Sequence, residues 1–176
     1  MKKPSERFKD LLYLLPRFLL AGLLLFCILL MLASNFDYLE PHLGFLHSSR
    51  AKVQQLSPRI AIGPYPHLDE MRQLQKQGFS GIISLLDDAM PQERALNRVE
   101  ERAAGQMKLG FWKVPIGYLQ LDSQPNRLKA QEVARILAGH PGEKIYLHCY
   151  LGRHRVELVR RMLVEKGMVG GGTAGR

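Results

Sequence analysis

Hydrophobic residues form one long run near the amino terminus and then recur in short runs separated by amphipathic stretches. From Phe18 to Ala33 every residue is apolar or glycine, and the apolar stretch reaches back towards residue 11 with Arg17 interrupting it. A helix that crosses the roughly 30 Å hydrocarbon core of a bilayer needs about 20 such residues. The pattern therefore predicts a transmembrane helix over residues 18–33, with Arg17 snorkelling at one edge.

Two other interpretations of this run compete with an anchor. A buried core helix is disfavoured, because a chain with one domain could not cover an all-round apolar helix on every side. A cleaved signal peptide shares the basic start, but its apolar region is usually about 7 to 15 residues long and ends at a small-residue cleavage site. No clear site of that kind follows Ala33. An uncleaved anchor is favoured, and a signal peptide stays the alternative.

Charges on either side of the helix predict its orientation. Residues 1–17 are basic, with Lys and Arg outnumbering Glu6 and Asp10, whereas the stretch SNFDYLEPH after the helix is net acidic. The positive-inside rule then makes the chain a single-pass membrane protein with a cytoplasmic amino terminus and an extracytoplasmic domain, periplasmic in a bacterium. Phe36 and Tyr38 are expected near the outer interface, where aromatic residues are favoured.

The overall charge narrows the choice of partners. The chain has a formal net charge of +9, part of it in the basic amino terminus. No basic tract is interleaved with aromatic residues, so the charge predicts membrane topology and a surface favourable to phosphorylated ligands. Nucleic acid is not an expected partner.

The remainder of the chain predicts one α/β domain. Residues 34–56 lack sustained periodicity and are interpreted as a juxtamembrane connector, residues 57–167 as the domain, and residues 168–176 as a flexible glycine-rich tail. Apolar runs of strand length alternate with helix-like stretches. The predicted strands are RIAIGP, GIISLL, GFWKVPI and KIYLH, and the predicted helices are HLDEMRQLQKQG, PQERALNRVEERAAGQM, NRLKAQEVARIL and VELVRRMLVEKG. This alternation predicts a mainly parallel sheet flanked by helices.

The stretch HCYLGRHR, residues 148–155, lies between the last predicted strand and the last helix. Ligands of such sheets bind beyond the carboxyl ends of the strands, where a helix presents free N–H groups. Cys149 is a free thiol there, since Cys27 lies in the apolar helix, and a helix start with nearby cations favours a reactive thiolate. Gly152 permits a positive φ and an anion-binding nest. Arg155 can offer two parallel donors to phosphate oxygens.

This stretch resembles the HC-x5-R signature of the protein tyrosine and dual-specificity phosphatases. The nearest variant is the atypical dual-specificity group whose loop contains HC-x-x-G-K-H-R, which Gly152 to Arg155 match with one Lys-to-Arg change. The resemblance covers roughly Ser57 to Gly167, and AIGPYP and GFSGIISLLDD look like the family's opening strands. It implies a dual-specificity-phosphatase-like fold that needs neither a metal nor a cofactor.

The resemblance also implies roles for individual residues. Cys149 would attack phosphorus to give a cysteinyl-phosphate, and His148 would support the loop. An aspartate on an earlier loop would protonate the leaving oxygen; Asp122, the only acidic residue between Trp112 and Gln131, is the candidate, and an ordinary turn aspartate is the alternative. The phosphate would be held by the loop residues Tyr150, Leu151, Gly152, Arg153, His154 and Arg155.

Two residues after Arg155 depart from the family pattern. Val156 stands where a Ser or Thr hydroxyl usually bonds the leaving sulfur, and Glu157 replaces a small residue. The first chemical step is therefore expected to be intact and the second to be slowed. The expected function is a membrane-anchored phosphatase acting on phosphorylated protein or phosphorylated lipid or inositol. The alternatives are a pseudophosphatase that only binds phosphorylated ligands, and an inert scaffold with a buried Cys149.

Overall fold

The computed structural model describes residues 4–39 and 49–170, which form a five-stranded sheet, its flanking helices and a long amino-terminal helix. The helices are α1 (Pro4–Ser34), α2 (Phe36–Leu39), α3 (Leu68–Lys76), α4 (Pro91–Gln106), α5 (Gln124–Gly139) and α6 (His154–Glu165). The strands are β1 (Gln54–Ser57), β2 (Ile60–Gly63), β3 (Gly81–Ser84), β4 (Gly110–Lys113) and β5 (Ile145–His148).

Helix α1 contains the predicted membrane span. Its segment Leu15–Ser34 is long and apolar enough to cross a membrane, and none of it is buried inside the protein. A buried core helix is thereby excluded, because the apolar side chains face outwards all round. A membrane span and a signal sequence share this description, so the length and composition of the helix do not separate the two.

The sheet has the order β1-β2-β5-β3-β4. Strands β2, β5, β3 and β4 run parallel to one another, and β1 pairs antiparallel with β2 at the edge. The predicted mainly parallel sheet is confirmed, and each of the four predicted strands is present. Strand β1 begins in the predicted connector and ends at Ser57, the first residue of the predicted domain. Its short sequence QQLS is partly exposed and has no apolar alternation that would indicate a strand.

Alternating side chains divide the core between the two faces of the sheet. On one face Ile60, Ile62, Ile145 and Leu147 pack against α5 and α6, and on the other Ala61, Ile82 and Tyr146 pack against α3 and α4. The central strands are buried on both faces, which explains their continuous apolar runs. The core extends past α6 to Val169, which is 7% exposed within the predicted tail. Residues 171–176 of that tail lie outside the described residues.

Candidate active site

The chain from Cys149 to Arg153 forms a loop at the carboxyl end of β5 and leads directly into α6. Two carbonyl groups of this loop accept bonds from neighbouring chain segments: Tyr65 N–H donates to Tyr150 at 3.1 Å, and Ala51 N–H donates to Leu151 at 2.9 Å. These bonds hold the loop against the segments that precede β1 and follow β2. The loop also adjoins the amino-terminal end of α6, where the positive end of the helix dipole favours an anion.

Gly152 is required by the shape of this loop. Its φ is +69°, in the left-handed region that side chains other than glycine rarely adopt. A Cβ atom here would lie 2.4 Å from the backbone nitrogen of Pro64 and 2.5 Å from the carbonyl carbon of Gly63. The loop and the turn after β2 are therefore in direct backbone contact, which only glycine allows.

Arg155, in the first turn of α6, is buried against a carboxylate of α4. Its Nη1 donates to Glu93 Oε2 at 2.8 Å and its Nη2 donates to Glu93 Oε1, so the ion pair is two-pronged. Nη1 also donates to the carbonyls of Leu85 at 3.1 Å and Ile116 at 3.4 Å. Burial opposes the charge of the guanidinium, but the bonds and charge of Glu93 outweigh that cost, and the pKa of Arg155 is raised.

One edge of the Arg155 guanidinium takes part in none of these bonds. The group has five N–H donors in a rigid plane. Glu93 takes the edge between Nη1 and Nη2, and the two carbonyls take the outer donor of Nη1. The edge formed by Nε and the second Nη2 donor takes part in none of these bonds, and Cys149 and Arg155 line the same cavity. This edge matches two phosphate oxygens without any break in the ion pair with Glu93.

Cys149 lines a cavity of about 410 Å³ beside the loop. Cys149 is 4% exposed, and it borders this cavity despite its burial. The predicted phosphate-binding residues Tyr150, Leu151, Arg153, His154 and Arg155 line the same cavity, and Phe36, Met90, Leu96 and Tyr118 form apolar and aromatic walls. The structure therefore brings the nucleophile candidate and these loop residues together around one cavity.

His148 is buried beneath the loop. Its ring stacks on Tyr146 and meets Tyr65 edge-on. Nε2 of His148 lies 2.7 Å from Oε1 of Glu100 in α4, and both side chains are fully buried. The contact has the distance of an ion pair without the alignment of a hydrogen bond, and Nδ1 of His148 has no hydrogen-bond partner among the described residues. His148 thus joins the loop to α4 through packing and this close contact with Glu100.

Asp122 lies apart from the Cys149 cavity. Its carboxylate is exposed and lies 3.3 Å from Nη2 of Arg161, beside a separate depression on the far side of Gly152. Tyr118 on the same segment does line the Cys149 cavity. The structure therefore brings the segment that carries Asp122 to the cavity but not the carboxylate itself, and the role of Asp122 as an acid stays a prediction.

The two departures from the family pattern have structural explanations. Val156 is 1% exposed and packs in the same apolar cluster as Cys149, so no hydroxyl is available to the sulfur from this position. Glu157 accepts two bonds from Arg160, at 2.7 and 2.6 Å. The negative charge of Glu157 is therefore balanced on α6 itself.

Glu93 and Phe36 were not predicted as site residues. Glu93 is the third residue of α4, where an acidic side chain is ordinary because it interacts favourably with the helix dipole. Nothing in the sequence separates such a residue from one that binds an arginine. Phe36 was expected at the membrane boundary. Its position beside the loop depends on how α2 packs against the domain.

Solved structures with a similar fold include proteins named as phosphatases. Two structures of a Shewanella putrefaciens CN-32 protein called "Putative phosphatase (DUF442)" each align with a TM-score of 0.57 at 17% identity, covering 68% and 70% of this chain and 71% and 76% of that chain. Tk-PTP, in a glycine-to-alanine mutant form, aligns with a TM-score of 0.50 at 17% identity, covering 66% of this chain and 73% of that chain.

No protein-family model matches the chain, and no curated protein matches it. At 17% identity the structural likeness shows the fold alone. The predicted phosphatase-like α/β fold is confirmed at this level. The narrower likeness to the atypical dual-specificity group stays a prediction.

Proposed function

We propose that this protein is a cysteine-dependent phosphatase that hydrolyses phosphomonoesters. The observation that carries the proposal is the joint placement of Cys149 and the buried Arg155 guanidinium beside one cavity, at a loop that leads into the start of α6. A buried structural cysteine would need neither a cavity nor a buried, preorganised guanidinium beside it. The shared fold with proteins named as phosphatases supports the same conclusion.

The reaction follows from the groups around this cavity. The Cys149 thiolate attacks phosphorus, a sulfur–phosphorus bond forms, and the ester oxygen leaves with its electron pair and takes a proton. Arg155 and the loop N–H groups hold the equatorial oxygens, where charge is spread in the transition state. Water then attacks phosphorus, the sulfur–phosphorus bond breaks, and inorganic phosphate and the thiolate are released. No metal takes part in this scheme.

Asp122 is the proposed donor of the proton to the leaving oxygen. Its segment already reaches the cavity through Tyr118 and is held by Asn126, whose side chain bonds both N–H and C=O of Gly117. The carboxylate would have to leave Arg161, a single exposed contact of 3.3 Å. Exposed ion pairs of this kind contribute about 0–1 kcal/mol, so substrate binding can supply the cost.

The role of Asp122 predicts a dependence on the leaving group. In single-turnover measurements, Asp122→Asn should slow reaction with phenyl phosphate about 100-fold, and should slow p-nitrophenyl phosphate much less because nitrophenolate leaves without a proton. The matched control is Asp69→Asn, which removes another exposed aspartate that contacts an arginine and should change neither rate. Equal slowing of both substrates would rule out proton donation by Asp122.

The apolar helix is proposed to anchor the domain in a membrane with residues 1–17 in the cytoplasm. Support comes from the exposed apolar surface along Leu15–Ser34 and from the basic residues that precede it. The domain would then lie outside the cytoplasm. Reporter fusions at the carboxyl terminus should be active in the extracytoplasmic compartment, and activity restricted to the cytoplasm would reverse the orientation.

The proposed function is tested by trapping the intermediate. The full chain in detergent micelles, mixed with p-nitrophenyl phosphate and quenched in acid, should carry one phosphoryl group on the peptide that contains Cys149, as read by mass spectrometry. Cys27→Ser should behave as the unmodified protein does, because Cys27 lies in the apolar helix. Cys149→Ser should show no cysteinyl-phosphate. An unmodified Cys149 peptide with no release of nitrophenol would exclude the phosphatase.

The buried position of Val156 favours a second candidate, a pseudophosphatase that binds phosphorylated ligands with little turnover. The same experiment separates the two. A burst of nitrophenol followed by slow turnover indicates an enzyme with an impaired second step, and Val156→Thr, which adds a hydroxyl at nearly constant volume, should raise the steady-state rate without changing the burst. Phosphate binding without any burst indicates the pseudophosphatase.

A further inference from the structure

The cavity that contains Cys149 shares a wall with the end of the apolar helix. Helix α1 ends at Ser34, α2 begins at Phe36, and both pack against α4. The Phe36 ring lies 6.0 Å from that of Tyr150 in an edge-on arrangement and lines the cavity. A residue two positions beyond the apolar helix therefore forms part of the wall around the nucleophile.

The length of the apolar helix relates this cavity to the bilayer. The segment Leu15–Ser34 has 20 residues, and at 1.5 Å per residue such a helix measures about 30 Å, the thickness of the hydrocarbon core. When α1 spans the membrane, Ser34 lies where the hydrocarbon gives way to the headgroups. Phe36 then lies in the headgroup layer, and so does the part of the cavity wall that Phe36 forms.

The lining of the cavity is divided between charge and apolar surface. The cations Arg153 and Arg155 lie at the loop, where a phosphate would bind. Glu93, which pairs with Arg155, and His154 lie at the same end, and the remaining walls are apolar or aromatic apart from Gln92. They include Phe36, Met90, Leu96 and Tyr118. A phosphate joined directly to an apolar body fits this division. An extended peptide would need partners for its backbone groups beside the phosphate, and these walls offer few.

The rim of the cavity carries apolar side chains that face outwards. Tyr118 lines the cavity and is 57% exposed, and the next residue, Leu119, is 83% exposed. Tyrosine is favoured at the boundary between membrane and water, and an exposed leucine beside it gains free energy by entering the headgroup region. Tyr118 and Leu119 belong to the segment that also carries Asp122. This segment has to move to bring the Asp122 carboxylate to the cavity, so its contact with the bilayer would affect that movement.

We infer that the substrate is a membrane lipid that ends in a phosphomonoester, with its phosphate on the loop, its backbone against the apolar walls and its acyl chains in the bilayer. The inference rests on the proposed phosphatase activity and on α1 spanning the membrane. A lipid substrate is favoured over phosphorylated protein for two reasons. Part of the cavity wall lies in the headgroup layer, and the walls away from the loop are mainly apolar and suit an apolar ligand.

The test uses the full chain reconstituted in phosphatidylcholine vesicles that contain phosphatidic acid. Released inorganic phosphate should come from phosphatidic acid with a kcat/KM at least tenfold above that for a soluble phosphotyrosine peptide added to the same vesicles. Leu119→Ser should lower phosphatidic acid hydrolysis several-fold and leave hydrolysis of soluble p-nitrophenyl phosphate unchanged. Leu128→Ser, which alters an exposed leucine on α5 that does not line the cavity, should change neither rate.

The outcomes separate this inference from the proposed function. Hydrolysis of p-nitrophenyl phosphate without hydrolysis of phosphatidic acid would overturn the lipid substrate and leave the phosphatase standing. Preference for the phosphotyrosine peptide would do the same and would indicate a protein substrate. If Leu119→Ser slows hydrolysis of the lipid and of p-nitrophenyl phosphate equally, the proposed contact between the rim and the membrane is contradicted. Hydrolysis of none of the three would contradict the phosphatase itself.

Discussion

Replacing Arg155 with lysine should lower kcat/KM for p-nitrophenyl phosphate about 10³-fold, as expected when a preorganised donor to the transition state is lost. Lysine keeps the charge but has neither the two-pronged edge for phosphate nor the planar edge that binds Glu93. Its ammonium would be buried beside a carboxylate that has lost one of its two bonds. Steady-state kinetics with the burst amplitude, and thermal unfolding as a check on folding, measure this effect.

A control on the same helix makes the result specific. Arg160 also forms a two-pronged pair, with Glu157, but does not line the Cys149 cavity. Arg160→Lys should therefore leave kcat/KM within about twofold, as expected of substitutions away from the site. Glu93→Gln should lie between the two, since it keeps the shape of the carboxylate and removes its charge. An Arg155→Lys variant that retains nearly full activity would show that the open edge of Arg155 does not hold the phosphate.

Gly152→Ala should abolish most activity by displacing the loop. The substitution adds the left-handed backbone strain of about 1–2 kcal/mol, and its Cβ would lie 2.4 Å from the Pro64 nitrogen, closer than real Cβ atoms approach any group. Because both partners are backbone, the loop or the turn after β2 has to move. A shift of about 1 Å in a catalytic group can cost about 100-fold in rate, so kcat/KM should fall by at least that factor.

Gly167 provides the matched control for this prediction. Its φ is +66°, close to that of Gly152, but an added Cβ would meet nothing within 4 Å. Gly167→Ala should therefore lower the free energy of unfolding by about 1–2 kcal/mol through strain alone and leave kcat/KM unchanged. Unfolding in denaturant and kinetics on both variants separate strain from the steric clash. Undiminished activity in Gly152→Ala would show that the loop does not need its present shape.

Local patterns in the sequence were sufficient for most of the fold. The central strands read as continuous apolar runs because they are buried on both faces, and Pro91 marked the start of α4 because proline suits the first helical turn. The edge strand β1 gave no such signal, since its four residues are partly polar and partly exposed and pair only with β2. Edge pairing depends on the neighbouring strand and not on the strand's own periodicity.

The sequence by itself determined the elements of the sheet, the apolar helix and the loop from Cys149 to Arg155, because each depends on residues close together in the chain. Only the tertiary structure decided that Glu93 binds Arg155 across 62 positions, that Phe36 lines the cavity, and that Asp122 lies outside it. These placements depend on how α2, α4 and the segment after β4 pack on the sheet. Packing joins residues that are distant in the chain, and local periodicity carries no information about such contacts.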